Sequence, residues 1–158
     1  MASWLDYRIP MAWERGYHMH LQPGEAPALH RAIHDIEAGF VMAPMKAGLR
    51  VTSGVELTDR DAPPNYQQIN QAVAMARQAY DMRDQLDQTP WMGRRPTLID
   101  SLPMIGAAPR HDGLWFNFGH QHLGLSLAPG SAQLLTALID NTPPSMDPTA
   151  FSPTRFRL

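Results

Sequence analysis

The sequence predicts an α+β chain: an antiparallel sheet with one long amphipathic helix, then a strand, a glycine loop and a second helix. Three patterns predict it. Tyr17, Met19 and Leu21 alternate with His18 and His20, and Leu49, Val51, Ser53, Val55 and Leu57 alternate again, the period of half-buried strands. Ile69, Val73, Ala76 and Tyr80 recur in steps of four, three and four, with Gln67, Gln71, Arg77, Asp81 and Asp84 on the remaining faces. Near the C-terminus an apolar run at 114–118 meets a loop bracketed by Gly119 and Gly124, followed by Leu127, Leu134, Leu135 and Leu138.

Taken in order, residues 1–14 have no clear period. The first strand runs to Leu21 and is closed by Pro23-Gly24. Residues 28–36 suit a strand or a loop. Residues 39–44 read as a short strand stopped by Pro44, and 46–48 as a hairpin connection to the strand at 49–57. Residues 59–64 are loop. Asn65 then caps a helix expected over 66–86. Short strands are expected at 91–96 and 114–118, with a short apolar piece at 102–106 and a turn-rich connection at 107–113. The last helix is expected over 125–140, with Pro129 near its start where a missing N–H costs little. Residues 145–158 read as proline-rich coil.

Composition narrows the function. The chain has 158 residues, 44% of them apolar and only 18% charged, which supplies a core and argues against disorder. The net charge of −2 offers no cationic field for nucleic acid or an anionic membrane. The absence of cysteine excludes disulfides, thiolate metal sites and thiol catalysis, and fits a reducing compartment. No apolar run reaches the roughly 18 residues that span a bilayer. Residues 1–7 carry Asp6 and no basic leader, against a signal peptide. Fifteen prolines, about twice the usual ~5%, demand short elements and many turns.

Four features could carry chemistry. The pairs His18/His20, His30/His34 and His120/His122 suit either two metal ligands each or polar histidines. No nucleophile elbow, P-loop or dinucleotide fingerprint occurs. The loop from Gly119 to Gly124 suits either a tight turn or the approach of a flat or anionic ligand to helix N-terminal amides. Arg94 and Arg95 precede Pro96, which extends the backbone. They suit either solvation or bidentate capture of a carboxylate.

Several pieces then fit together. Met92-Gly-Arg-Arg-Pro-Thr-Leu-Ile-Asp-Ser-Leu-Pro-Met-Ile-Gly106 resembles the G-x-R-P-x-x-x-D-x-x-P-x-I-G segment of the FAD-dependent amino-acid oxidoreductases, the family of D-amino-acid dehydrogenase and glycine oxidase. Leu114-Trp-Phe-Asn-Phe-Gly-His-Gln-His-Leu-Gly-Leu-Ser-Leu-Ala-Pro-Gly130 resembles its flavin-binding strand, loop and helix. Pro144, Asp147, Phe151, Pro153 and Phe156 resemble its tail, while residues 14–18 and 39–44 resemble strands of its substrate domain. The resemblance runs from about Leu5 to Phe156 and is similar to the D-amino-acid dehydrogenase branch in particular.

The resemblance implies roles. Arg95 matches the arginine that pairs with the substrate carboxylate. Tyr17 and His18 match strand positions facing the substrate. Gly119, His120, Leu123, Gly124, Leu125 and Ser126 match the loop and helix start that contact the flavin of FAD. It further implies oxidation of D-amino acids by hydride transfer to flavin, and assigns residues 1–96 to a substrate-binding region and 97–158 to the C-terminal part of a FAD-binding domain.

The family's N-terminal dinucleotide-binding unit has no counterpart here. The expectation is therefore a C-terminal part: a truncated product, a fragment or one subunit of a split enzyme. Alone it should be inactive and hold FAD weakly or not at all. The competing expectation is an inactive α+β subunit that self-associates or joins an N-terminal FAD-binding chain. The expected driver is an apolar face bared around Leu114, Phe116, Phe118, Leu134 and Leu138. The expected location is cytoplasmic, free or peripheral to the inner membrane.

Overall fold

The computed structural model describes residues 5–156. Residues 1–4, part of the segment read against a leader, and 157–158, at the end of the tail, lie outside the described residues. The elements are β1 (Met11–Pro23), β2 (Ile33–Asp35), β3 (Phe40–Met45), β4 (Gly48–Leu57), α1 (Gln67–Ala79), β5 (Met82–Gln85), β6 (Trp91–Leu98), β7 (Met104–Ala107), β8 (Trp115–Phe118) and α2 (Gly124–Ile139). Two single 3-10 turns, Thr149–Phe151 and Pro153–Arg155, punctuate the tail read as coil. The α+β class and the antiparallel sheet are as expected.

The main sheet has the order β2-β3-β4-β1-β5, with β6 also pairing β1. β3 and β4 form a hairpin in which Met45 pairs with Gly48, so Lys46 and Ala47 make the turn. Pro44 does not stop β3. It pairs with Leu49 from an exposed position inside the strand. A second, two-stranded sheet joins β7 and β8, from Met104 opposite Phe118 to Ala107 opposite Trp115.

Two compact units divide the chain, residues 15–94 and the remainder on either side of them. This differs from a division at 96/97, because the N-terminal segment belongs with the C-terminal one. Tyr7 explains why. It is 4% exposed, its ring lies edge-on to Phe116, its hydroxyl is 2.8 Å from His111 Nδ1 and it accepts from the Arg110 amide.

Strand alternation builds the core of unit 15–94. Tyr17, Met19 and Leu21 from β1, Phe40 and Met42 from β3, and Leu49 and Val51 from β4 share one face. Ile69, Ala72, Val73 and Ala76 of α1 close over that face. The alternation in β4 buries only its first half: Val55 and Leu57 are exposed.

The helix expected over 66–86 ends at Ala79. Tyr80 is extended, and residues 82–85 form β5 against β1, with Leu21 opposite Gln85. Sheet pairing with a strand some sixty residues earlier overrides the local helical period. Asn65 does serve the helix start, its Oδ1 accepting from the Gln67 amide at 3.0 Å.

The other unit has a smaller core of Tyr7, Leu98, Met104, Ala108 and Phe116. Phe116 and Leu134, expected on a bared face, are buried, and Leu114 and Phe118 pack against this core. The exposed apolar residues on and beside α2 are instead Leu123, Leu125, Leu127 and Ile139. No helix among the described residues is long and apolar enough to cross a membrane.

Candidate functional site

Arg95 lies on β6, and Pro96 next to it keeps the strand extended. The guanidinium is half-buried and makes no hydrogen bond or ion pair among the described residues. Its neighbour Arg94 is exposed, and its Nε donates to the Arg60 carbonyl at 2.6 Å. The two arginines thus separate cleanly: Arg94 is engaged and Arg95 is available.

Two residues on, Thr97 shares Arg95's face by strand alternation and bridges to His120. Thr97 is 6% exposed and its Oγ1 has no partner among the described residues. This bridge places the arginine strand beside the loop 119–124.

The loop is built by its glycine and by three ties. Gly119 sits at φ +85°, and a Cβ there would lie 3.1 Å from the Leu98 side chain, so both backbone conformation and space require glycine. Gln121 donates from Nε2 to the Ser101 carbonyl at 3.0 Å. His120 Nε2 lies 2.8 Å from Ser131 Oγ, which pins the loop to α2. Leu123 accepts the first helical bond, from Leu127.

The amides of Gly124, Leu125 and Ser126 therefore precede the first intrahelical donor, the Leu127 amide. No side chain caps them and no acidic residue lies in the first turn. Burial holds His120 below the usual histidine value, so its ring is neutral at pH 7. Leu123, Ser126 and Ser131 line a cavity of about 350 Å³ with Leu102 and Phe151.

These features fit a flavin. Free helix-start amides, a left-handed glycine and an unpaired buried hydroxyl beside them suit a flat group rich in hydrogen-bond acceptors. Gly119, His120, Leu123, Gly124, Leu125 and Ser126 are the residues that would hold it.

Tyr17 and His18, adjacent on β1, serve opposite faces. The Tyr17 ring is 2% exposed in the core, edge-on to Tyr66. Its hydroxyl donates to Glu56 at 2.5 Å and accepts from the Asn65 amide. Burial, then the Glu56 carboxylate, raise the phenol above its ordinary value. His18 lies on the polar face, stacked on Trp91 at 4.7 Å and 22°. Burial, with the Arg50 charge second, holds it below the usual histidine range.

No group of three or more potential metal-ligating residues occurs among the described residues. His30 and His34 are exposed, and His122 Nδ1 stands 4.0 Å from Glu14.

Two ionic assemblies escaped the sequence reading. Arg15, 1% exposed, bonds Glu56 and the carbonyls of Ala62 and Pro63, holding the loop 59–64. Asp100, inside the motif that carries Arg95, receives Arg155 Nε at 2.7 Å, while Arg155 also donates to the carbonyls of Leu102, Phe151 and Ser152. The guanidinium beside Asp100 holds its carboxyl below the usual range. Neither assembly has a signal in local spacing.

Comparison with known proteins places this geometry. The family model described as DAO, FAD dependent oxidoreductase, matches residues 2–138. A D-amino-acid oxidase of Bradyrhizobium diazoefficiens is 30% identical over 155 residues, covering 94% of this chain and 36% of that protein. A D-amino acid dehydrogenase 2 of Pseudomonas aeruginosa is 31% identical over 151 residues, covering 92% of this chain and 35% of that protein. The chain thus spans about a third of the length of these relatives. The glycine oxidase from Geobacillus kaustophilus superposes with a TM-score of 0.74 at 22% identity, over 98% of this chain and 42% of that one, and so shares its fold. The sheet with its helix agrees with this match, and the chain belongs to the DAO family of FAD-dependent oxidoreductases.

Proposed function

We infer that the chain supplies the carboxylate-binding arginine and the flavin-contacting loop of an enzyme that oxidises D-amino acids. One observation carries the reading: Arg95 is a half-buried guanidinium without a partner among the described residues, on the strand that bridges to the loop 119–124. A carboxylate answers such a group with two parallel charge-assisted bonds. FAD, when bound, accepts the hydride from the substrate α-carbon.

The chain's own residues bind and orient. Arg95 anchors the carboxylate and so fixes the α-carbon. The amides of Gly124, Leu125 and Ser126 donate to the acceptor atoms of the flavin. His120, neutral and tied to Ser131, holds the loop in place. His18 lies on the polar face of its sheet, open to a substrate contact. Tyr17, sealed in the core, braces β1.

A second reading has its own observation. Leu125 is 92% exposed, and Leu123, Leu127 and Ile139 are exposed with it on and beside α2. Such a surface suits an inactive subunit that joins an N-terminal FAD-binding chain or another copy of itself.

Size-exclusion chromatography with a visible spectrum separates the two, followed by pairing the chain with the N-terminal two-thirds of a D-amino acid dehydrogenase. The first reading expects FAD-bound, active pairs and a loss of turnover of about a hundredfold or more in Arg95→Ala with FAD retained. Pairs that bind FAD yet turn over equally well without Arg95 overturn it.

A further inference from the structure

The polar face of the sheet in unit 15–94 carries a chain of contacts that the flavin reading does not use. Asp87 Oδ2 accepts twice from His20, from the backbone amide at 2.7 Å and from Nδ1 at 3.0 Å. His20 Nε2 in turn accepts from Arg50 Nε at 3.1 Å. Acceptance at Nε2 places the ring proton on Nδ1, where Asp87 takes it. The imidazole is 11% exposed and spends both nitrogens inside this chain. A ring held so cannot ligate a metal; it orients Arg50 and stands edge-on to His18.

Arg50 uses only Nε. Its two terminal nitrogens have no hydrogen bond or ion pair among the described residues. Beside it stands an aromatic platform. His18 stands edge-on to His20, the ring that holds Arg50, at 5.0 Å between centroids, and feels the Arg50 charge. His18 also stacks on Trp91 at 4.7 Å, and Trp91 is 54% exposed. Gly93 makes room for this stack: a Cβ there would stand 2.2 Å from the indole ring. An oriented guanidinium fork, a stacked apolar surface and a local charge balance of Arg50 against Asp87 suit a singly charged, flat anion better than a phosphate dianion.

We propose that Arg50, oriented through Asp87 and His20, and the His18–Trp91 stack form a binding site for a planar aromatic monocarboxylate. The carboxylate takes the terminal nitrogens of Arg50, and the ring system lies against the stack. The site uses neither Arg95 nor the loop 119–124, all its residues lie within 15–94, and it shares only His18 with the reading above.

The test is a titration of the isotope-labelled chain with 2-naphthoate, followed by NMR at the Trp91 indole N–H and the His18 ring. Both signals should move together and saturate. Uncharged 2-naphthamide and small acetate should each bind at least about tenfold more weakly, because one lacks the charge and the other the ring. Arg50→Gln should weaken naphthoate by about tenfold or more, with Arg50→Lys between, and Asp87→Asn should weaken it by a smaller factor. Arg95→Gln should leave the naphthoate-induced shifts at Trp91 and His18 unchanged. Arg50→Lys, which keeps charge and stem, answers if Arg50→Gln fails to fold. Equal affinity for naphthamide, unchanged affinity in both Arg50 variants, or still signals at Trp91 and His18 at the solubility limit each overturn the proposal. Shifts confined to the surroundings of Arg95 overturn it too, while leaving the carboxylate role of Arg95 standing.

Discussion

The unit of residues 15–94 buries four residues of the 13-residue helix α1 in a core of twelve, whereas the 16-residue helix α2 of the other unit buries two, Ser131 and Leu134. α2 is nevertheless the more apolar of the two helices in composition. The first unit therefore satisfies its own hydrophobic pattern, sheet face against helix face. The second carries more apolar surface on its helix than its own residues cover, and its order rests on polar ties: His120 to Ser131, Gln121 to Ser101 and Arg155 to Asp100. An apolar period thus reports where a helix is, but not whether its own unit buries it.

The contrast can be broken most sharply at Arg15. Arg15→Met leaves the Glu56 carboxylate with the Tyr17 hydroxyl but no cation, strands the carbonyls of Ala62 and Pro63, and should cost about 3 kcal/mol or more in urea unfolding. A loss below about 1 kcal/mol would mean that the network is incidental to the core above it.

Leu134→Ala probes the sparse helix. It removes the one apolar side chain that α2 buries, and should cost about 2–4 kcal/mol, with faster amide exchange along 124–139 while the amides of α1 stay protected. Leu125→Ser, at a fully exposed site, should stay within about 0.5 kcal/mol. If the two variants behaved alike, α2 would not be anchored as described.

The smallest expected effect is on pH dependence. His18 and His120 both titrate below their ordinary value, so between that value and their folded ones the unfolded chain binds more protons. Their contribution is full above about pH 6.5 and is lost below it, as pH falls through their folded values. The lowered carboxyls of Asp87 and Asp100 add a second loss in more acid solution, as pH falls through their folded values. The urea midpoint should decline on acidification, and His120→Gln should flatten the first part of that decline. A midpoint that rises on acidification would contradict the sign.

The first strand, the β3–β4 hairpin, the glycine loop and the last helix were legible because each is written in local period or turn chemistry. The end of α1 was not, since Met82 to Gln85 leave the helix only to meet β1. Arg95 was singled out through its motif, and its guanidinium, without a partner among the described residues, separates it from Arg94. Tyr17 and His18 were both assigned to the substrate side through the resemblance, although strand geometry sends adjacent side chains to opposite faces. The Arg15, Arg50 and Arg155 assemblies were invisible for one shared reason. Their partners lie tens of residues away, so no window of sequence contains both ends.

The tie from Tyr7 to His111 has a consequence in time. Residues 15–94 are contiguous, so that unit holds β2 to β5 and α1 complete once position 94 has emerged from the ribosome. Tyr7 is made before that unit, yet its partner His111 lies 104 residues downstream. Tyr7 must wait, unsatisfied, while a later-made unit folds ahead of it. For this segment the order of synthesis and the order of folding run opposite.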